Sequence, residues 1–539
     1  MPASPMTNRN APTAGPPPPE EGDPSEVFAF LADPRAYGGV GPVKRIDTQS
    51  AAVFLAGDDA YKALRAIRLP FLDFSTLDKR RAACAAEIAA NRDNAPGVYL
   101  GVTPIVRRGG GLAIGGEGEV VEWTTHMRRF DENATLDRVA ERGALSPELI
   151  RDLAAAVRRS HDRAPLGDGE RATQSLATYL DQNQAAFAAR PDLFAPSRAA
   201  ALDRESRAAF AALRPLLIAR GAAGRVRRCH GDLHLRNIAL IDGEPTLFDA
   251  IAFDADIATG DVLYDLAFAL MDLWERDQRA AANRLQATYL SLGQTDELDG
   301  LAALPFFMSL RAAIRAKVEA ANVAHLADGA RRAERTLARR YFVLAEAFLR
   351  PAPPRLVVIG GLSGTGKSAL AAALAPQIGR APGALTLRSD VERKRLFAVA
   401  ETERLPPGGY DLAATEATYA RLLDKARRAL AAGQGVILDA VYAKSSERRA
   451  AGKLAAELAI PFIGLWLEAP LTKRLERIGR RRGDASDADA GVAARQSAET
   501  PAEPGWGRLA ASDGLAATIA TAQRRLKRSN SWLRPGDLV

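Results

Sequence analysis

The chain has 539 residues, 47% hydrophobic and 26% charged, which is an ordinary globular balance in a length that exceeds one hydrophobic core and implies two or three domains. The formal net charge is +8, but aromatics make up only 6% and no basic stretch is interleaved with stacking rings, so spread surface arginines explain the charge better than a nucleic-acid partner. Two cysteines, Cys84 and Cys229, exclude a disulfide framework and fit a reducing cytoplasm, and there is no run of about 18 apolar residues to span a membrane.

Residues 1–24, MPASPMTNRNAPTAGPPPPEEGDP, lack the basic start and apolar stretch of a secretory signal, and their proline-rich composition predicts a disordered tail. Segments 51–56 and 60–62 read as paired strands turned at Gly57-Asp58-Asp59, 77–91 as a helix, and 120–127 as another strand. Beyond about residue 145 the pattern is mostly helical, broken by short strands and loops between Cys229 and Asp249. A small sheet lobe followed by a larger helical lobe is expected. Pro351-Ala352-Pro353-Pro354 ends a long helical pattern and precedes a strand, so it reads as a linker between a domain at 25–350 and another at 355–539. The second domain alternates strand candidates (356–360, 384–388, 435–439 and 462–467) with helical patterns, which predicts a parallel sheet covered on both faces.

Two groups of residues carry chemistry. The first is HGDLHLRN, His230 to Asn237, followed by Phe248-Asp249, Asp261 and Asp265. Phosphoryl transfer needs a carboxylate to orient the attacking hydroxyl, oxygens for magnesium and a cation for the phosphates. Asp232 suits the first role, Asn237 and Asp249 the second. Lys62, at a strand end, suits the third, with Glu87 on the next helix as its partner. For these two the plain alternatives are an exposed strand lysine and a solvated helix glutamate, and His234 can simply support the loop. HGDLHLRN, LFDAIAFD and GDVLYDLA occur in the order found in the aminoglycoside phosphotransferase family, which this region resembles over about 28–345. The resemblance implies an α+β, two-lobed, protein-kinase-like fold, a catalytic Asp232, magnesium held by Asn237 and Asp249, a structural His230, and an Asp265 that positions the C-terminal helices. No glycine-rich turn stands near 47–51, a departure that bears on how the nucleotide is clamped.

The second group is GLSGTGKS, Gly361 to Ser368, between a strand and a helix. Gly361, Ser363, Gly364, Thr365 and Gly366 would let backbone N–H groups surround phosphates; Lys367 would reach the β and γ phosphates and Ser368 would ligate magnesium. Asp390 and Asp439 follow two of the strand candidates, and strand carboxyl ends line the ligand crevice, so each can face a metal or an acceptor hydroxyl; Asp439 can also act through a metal-bound water. Arg474, Arg477 and Arg480 to Arg482 lead into Gly483-Asp484-Ala485-Ser486-Asp487, which suits a phosphate-covering lid or, more plainly, a solvated basic helix. Over about 355–500 this domain resembles small P-loop kinases of the gluconate-kinase and zeta-toxin type, an α/β P-loop NTPase fold. That resemblance implies an acceptor contact at Asp390 and nucleotide contacts from lid arginines, here Arg480 and Arg482.

The expectation is a bifunctional phosphotransferase using ATP and Mg2+ on small hydroxylated molecules, with no membrane partner. The alternative is a noncatalytic, nucleotide-sensing first domain that controls a P-loop, possibly toxin-like, kinase.

Overall fold

The computed structural model describes residues 24–39, 41–48, 50–69, 72–323, 328–480, 484–496 and 501–528. The expected N-terminal tail, apart from Pro24, lies outside them, as does Arg482. The chain forms two compact units. The first takes the chain to Gln278 and again Phe306–Leu349; the second takes Arg279–Pro305 and everything from Arg350.

After a short helix, Ser25–Ala32, the first unit forms a six-stranded antiparallel sheet. Its strands are β1 (Lys44–Asp47), β2 (Ala51–Ala56), β3 (Asp59–Leu64), β6 (Tyr99–Arg108), β7 (Gly111–Ile114) and β8 (Glu119–Arg128), in the order β1-β2-β3-β8-β6-β7. A small ribbon, β4 (Arg68–Leu69) with β5 (Leu72–Asp73), follows β3. Lys62 faces Val53 on one side and Thr125 on the other, in the middle of the sheet. The helix Leu77–Asn91, capped by Thr76, buries Arg80, Cys84, Glu87, Ile88 and Asn91, one stripe at helical spacing. Three of those five are polar, so ion pairs and hydrogen bonds dock this helix. Arg80 donates twice through Nε to Glu122 at 2.9 Å, and both side chains are buried. The remainder of the unit is helical, interrupted by the antiparallel pairs β9 (Val226–Arg228) with β12 (Thr259–Asp261) and β10 (Ile238–Ile241) with β11 (Glu244–Leu247). This is the expected two-lobed, α+β, kinase-like fold.

In the second unit, β13 (Leu356–Gly360), β14 (Leu385–Arg388), β15 (Val436–Asp439), β16 (Phe462–Glu468) and β17 (Trp506–Ala510) form a fully parallel sheet ordered β14-β15-β13-β16-β17. Strands β13 and β15 are buried along their whole length, as strands covered on both faces must be. Residues 279–305 pack into this unit although they precede the proline linker by some fifty positions: Asn283 Nδ2 donates to the Ala384 carbonyl at 2.9 Å, and Arg380 Nη2 to that of Leu301 at 2.7 Å. Asn283→Ala would leave the buried Ala384 carbonyl without its donor. It is expected to lower stability by about 1–3 kcal/mol in denaturant unfolding; no loss would mean that water or a neighbour replaces the amide.

Candidate active sites

In the first unit, Lys62 Nζ donates to Glu87 Oε1 at 2.6 Å and to Asp249 Oδ1 at 3.3 Å. Burial alone would pull the Lys62 ammonium down, but the carboxylates of Asp249 and Glu87 outweigh it and hold the group well above its ordinary value. The Thr125 hydroxyl donates to Glu87 Oε2 at 3.1 Å, fixing the partner carboxylate. Asp249 stands in the left-handed region, φ 59°, and its amide donates to Tyr99 Oη at 3.0 Å. The next amide, Ala250, donates to Asn91 Oδ1 at 2.7 Å, so the helix that carries Glu87 also fixes the Asp249 loop.

Asp232 and Asn237 meet across the loop between β9 and β10. Asn237 Nδ2 donates to the Asp232 carbonyl at 3.0 Å and to its Oδ2 at 3.1 Å. Burial pushes the Asp232 carboxyl up, but nearby His234, His230 and Arg315 bring it below its ordinary value. A carboxylate ionised at neutral pH can orient a hydroxyl and take its proton. The loop is pinned from below: Gly231 N donates to Asp265 Oδ1 at 2.8 Å, Asp265 Oδ2 lies 3.1 Å from His161 Nε2, and His230 Nε2 lies 2.9 Å from the Phe248 carbonyl. Asp265, which the resemblance casts as positioning the C-terminal helices, here accepts from the Gly231 amide of the loop and lies against His161, while His230 is held by the Phe248 carbonyl.

In the second unit, the turn after β13 passes Gly361 to Gly366 and enters the helix Lys367–Leu374. Gly364 adopts φ 84°, and a Cβ there would come within 2.5 Å of the Arg474 carbonyl, so this position needs glycine on both counts. The Ser368 hydroxyl donates to Asp439 Oδ2 at 2.5 Å. Lys367, Ser368, Asp390 and Asp439 line one cavity of about 940 Å³, within the range of small-molecule sites. Burial raises the Asp390 carboxyl, and nearby Asp439 adds to this against the pull of Arg388 and Lys367.

Within the arginine-rich segment, the residues that touch the phosphate loop are not the two the sequence reading chose for nucleotide contacts. Arg474 Nε donates to the Ser363 carbonyl at 2.8 Å, and Arg477 Nη1 to that of Thr365 at 3.0 Å, so both reach the phosphate loop itself. Arg480 is exposed and paired with Glu476 at 2.9 Å. Arg474 and Arg477 are three apart on the helix Leu471–Gly479 and share a face; that spacing was the available signal. Gln496 Oε1 accepts from Ser363 N at 2.8 Å. Arg388 also lines the cavity.

Asn237, Asp249 and Asp232 in one unit, and Ser368 with Asp439 in the other, offer oxygen donors only, the set that suits magnesium. Two kinase-type domains in one chain is the class these features define. Comparison agrees: residues 115–304 match the phosphotransferase enzyme family and residues 356–502 match an AAA domain family. The chain belongs to the family of the uncharacterized protein Rv2004c of Mycobacterium tuberculosis. They are 30% identical over 464 residues, which cover 84% of this chain and 89% of that protein. The uncharacterized protein Mb2027c of Mycobacterium bovis aligns with the same identity and coverage. Among solved structures, a choline/ethanolamine kinase family protein from Mesorhizobium loti is similar at TM-score 0.39 and 16% identity, over 60% of this chain and 94% of that one. A gluconokinase from Sinorhizobium meliloti is similar at TM-score 0.24 and 21% identity, over 33% and 94% respectively.

Asp390 carries a testable pH signature. Its folded-state pKa lies above the ordinary 3.8, so the native state holds the proton more tightly than the unfolded chain. That contribution is complete below 3.8 and is lost as pH rises through the folded value. At neutral pH the ionised, desolvated carboxylate is therefore a burden. Asp390→Asn is expected to raise stability at pH 7, with the gain shrinking toward pH 4. Denaturant midpoints at both pH values check this, and a midpoint that falls at pH 7 contradicts it.

Proposed function

We propose that this protein is a bifunctional, ATP- and magnesium-dependent phosphotransferase acting on small hydroxylated molecules, with one site per unit. The observation that carries the reading is the joint placement of Lys367, Ser368, Asp390 and Asp439 around one cavity of about 940 Å³, supported by the Lys62–Glu87–Asp249 cluster and the Asp232–Asn237 pair in the other unit.

In each site an acceptor hydroxyl attacks the γ phosphorus. A new O–P bond forms, the bond to the β–γ bridging oxygen breaks, ADP leaves, and the hydroxyl proton passes to a carboxylate. That carboxylate is Asp232 in the first unit and Asp390 in the second. The raised pKa of Asp390 makes it the better proton acceptor near neutral pH. Lys62, oriented by Glu87, holds nucleotide phosphates in the first site. In the second, Lys367, the N–H groups of the loop from Gly361 to Gly366, and cations of the arginine-rich segment (Arg477, with Arg480 and Arg482) do the same. Magnesium, held by Asn237 and Asp249 or by Ser368 and Asp439, would neutralise charge on the β and γ phosphates.

One observation favours a second reading for the first unit. The cavity bounded by Lys62, Glu87, Asp249, Thr48 and Ser50 is only about 60 Å³, narrowed by Leu72, Phe74 and Phe253, well short of the volume of a nucleotide site. A pocket this narrow suits the noncatalytic, regulatory reading of the first unit.

Both readings are separated by incubating the intact chain and two variants with labelled ATP and pooled metabolites. Asp232→Asn and Lys367→Ala are expected to remove different labelled products, each by on the order of 100-fold or more. Labelling unchanged by Asp232→Asn would assign the first unit the noncatalytic role.

A further inference from the structure

We propose that Arg388 contacts the terminal phosphate of the triphosphate bound in the P-loop unit, acting as a second phosphate-reading cation beside Lys367 and as a catalytic residue of that site. This rests on the reading of the P-loop unit as an ATP-binding phosphotransferase.

The argument starts from register. Arg388 is the last residue of β14 and pairs with Asp439, the last residue of β15. Register partners on adjacent parallel strands project to the same side of the sheet, and the carboxyl ends of such strands line the ligand crevice. The guanidinium therefore sits where the loop, the candidate metal oxygens and the acceptor carboxylate converge. Its Nε lies 3.5 Å from Asp439 Oδ2, the same oxygen that accepts from the Ser368 hydroxyl. Arg388 lines the cavity with Lys367 and Asp390.

The guanidinium is also only partly used. Nη2 donates to Asp484 Oδ1 at 2.9 Å, while Nε is buried without a hydrogen-bond acceptor. A buried donor left unmatched in a charged cavity is costly unless a ligand supplies the acceptor. Asp484 is itself fixed, because its Oδ1 also accepts from Ser486 N at 2.9 Å. It therefore holds one edge of the guanidinium and leaves Nε turned toward Asp439. Carboxylates flank the guanidinium on two sides, Asp439 at 3.5 Å and Asp484 at 2.9 Å, and an arginine keeps its positive charge across the ordinary pH range. A divalent ion held by Asp439 would take up that carboxylate's charge, leaving the guanidinium paired with Asp484 on one edge and free to meet the γ phosphate with the other. A planar, always-charged fork suits three equatorial phosphate oxygens whose charge grows in the transition state, better than an ammonium does.

The test is nucleotide discrimination in the full chain. Calorimetric titrations with magnesium and either ADP or the non-hydrolysable triphosphate AMP-PNP isolate the P-loop component as the part that Lys367→Ala removes. In that component Arg388→Gln and Arg388→Lys are expected to weaken AMP-PNP binding by about tenfold or more while leaving ADP within about twofold, a change smaller than one such hydrogen bond. Arg388→Lys keeps a charge between Asp439 and Asp484, so it guards against a loss that is merely structural, and thermal midpoints equal to the parent's complete that control. Equal weakening of ADP and AMP-PNP, or no change in either, overturns the inference, because Arg388 would then only neutralise Asp439. If Lys367→Ala removes no binding component at all, the P-loop reading fails and this inference fails with it, a result distinguishable from the other two.

Discussion

Two cations, each pressed between two carboxylates, fix the geometry of both sites: Lys62 between Glu87 and Asp249, and Arg388 between Asp439 and Asp484. Charges this poorly exposed are tolerated only when paired, since a lone buried ion costs several kcal/mol. Each cation therefore ties together elements that packing alone would leave loosely related. Lys62 fastens β3 to the helix Leu77–Asn91 and to the loop after β11. Arg388 fastens β14 to β15 and to the segment beginning at Asp484. Groups of this kind are also what phosphoryl transfer requires, so under the proposed function the interactions that hold the fold at these points would carry its chemistry as well.

The two sites reach this arrangement by different routes, and the difference decides how much of each was legible in the sequence. The phosphate loop is eight consecutive residues between a strand and a helix, so GLSGTGKS specifies most of its cradle locally. Asp232 and Asn237 are likewise only five positions apart. Lys62 with Glu87 was inferred from chain order, and the structure places those two side chains 2.6 Å apart, with Asp249 close to the same ammonium. The helix Leu77–Asn91 was read from its spacing even though its buried stripe is held largely by polar partners.

What the sequence did not announce depends on long-range fit. The strand β6 contains Gly101 and Pro104 and shifts register twice against β8, which breaks the alternation that marks a strand. The edge strand β17 reads WGRLA, with little aliphatic character. Its place is made by Gly464 of β16, where a Cβ would lie 2.3 Å from the Trp506 ring. Arg388 escaped notice because an arginine ahead of Ser389-Asp390 carries no signal until β14 and β15 are placed side by side. The basic run drew attention to Arg480 and Arg482, whereas the contacts to the loop's carbonyls come from Arg474 and Arg477, the pair whose spacing keeps them on one helix face.

The segment 279–305 has a consequence for the second site. By sequence most of it lies within the span that matches the phosphotransferase enzyme family, yet it packs in the P-loop unit. Asn283 holds the carbonyl of Ala384, the residue just ahead of β14, and Arg380, held in turn by Leu301, leads into the same turn. That strand ends in Arg388 and runs directly into Asp390. The position of Asp390 is therefore braced by residues outside the span that matches the AAA domain family, and outside any domain cut at the proline linker. Strands in a parallel sheet transmit small axial shifts to their carboxyl ends, because interiors this densely packed do not absorb strain locally. A change at Asn283 would accordingly reach Asp390 and Arg388 through one short strand, so this stretch of the first family match braces the strand that carries the proposed second site.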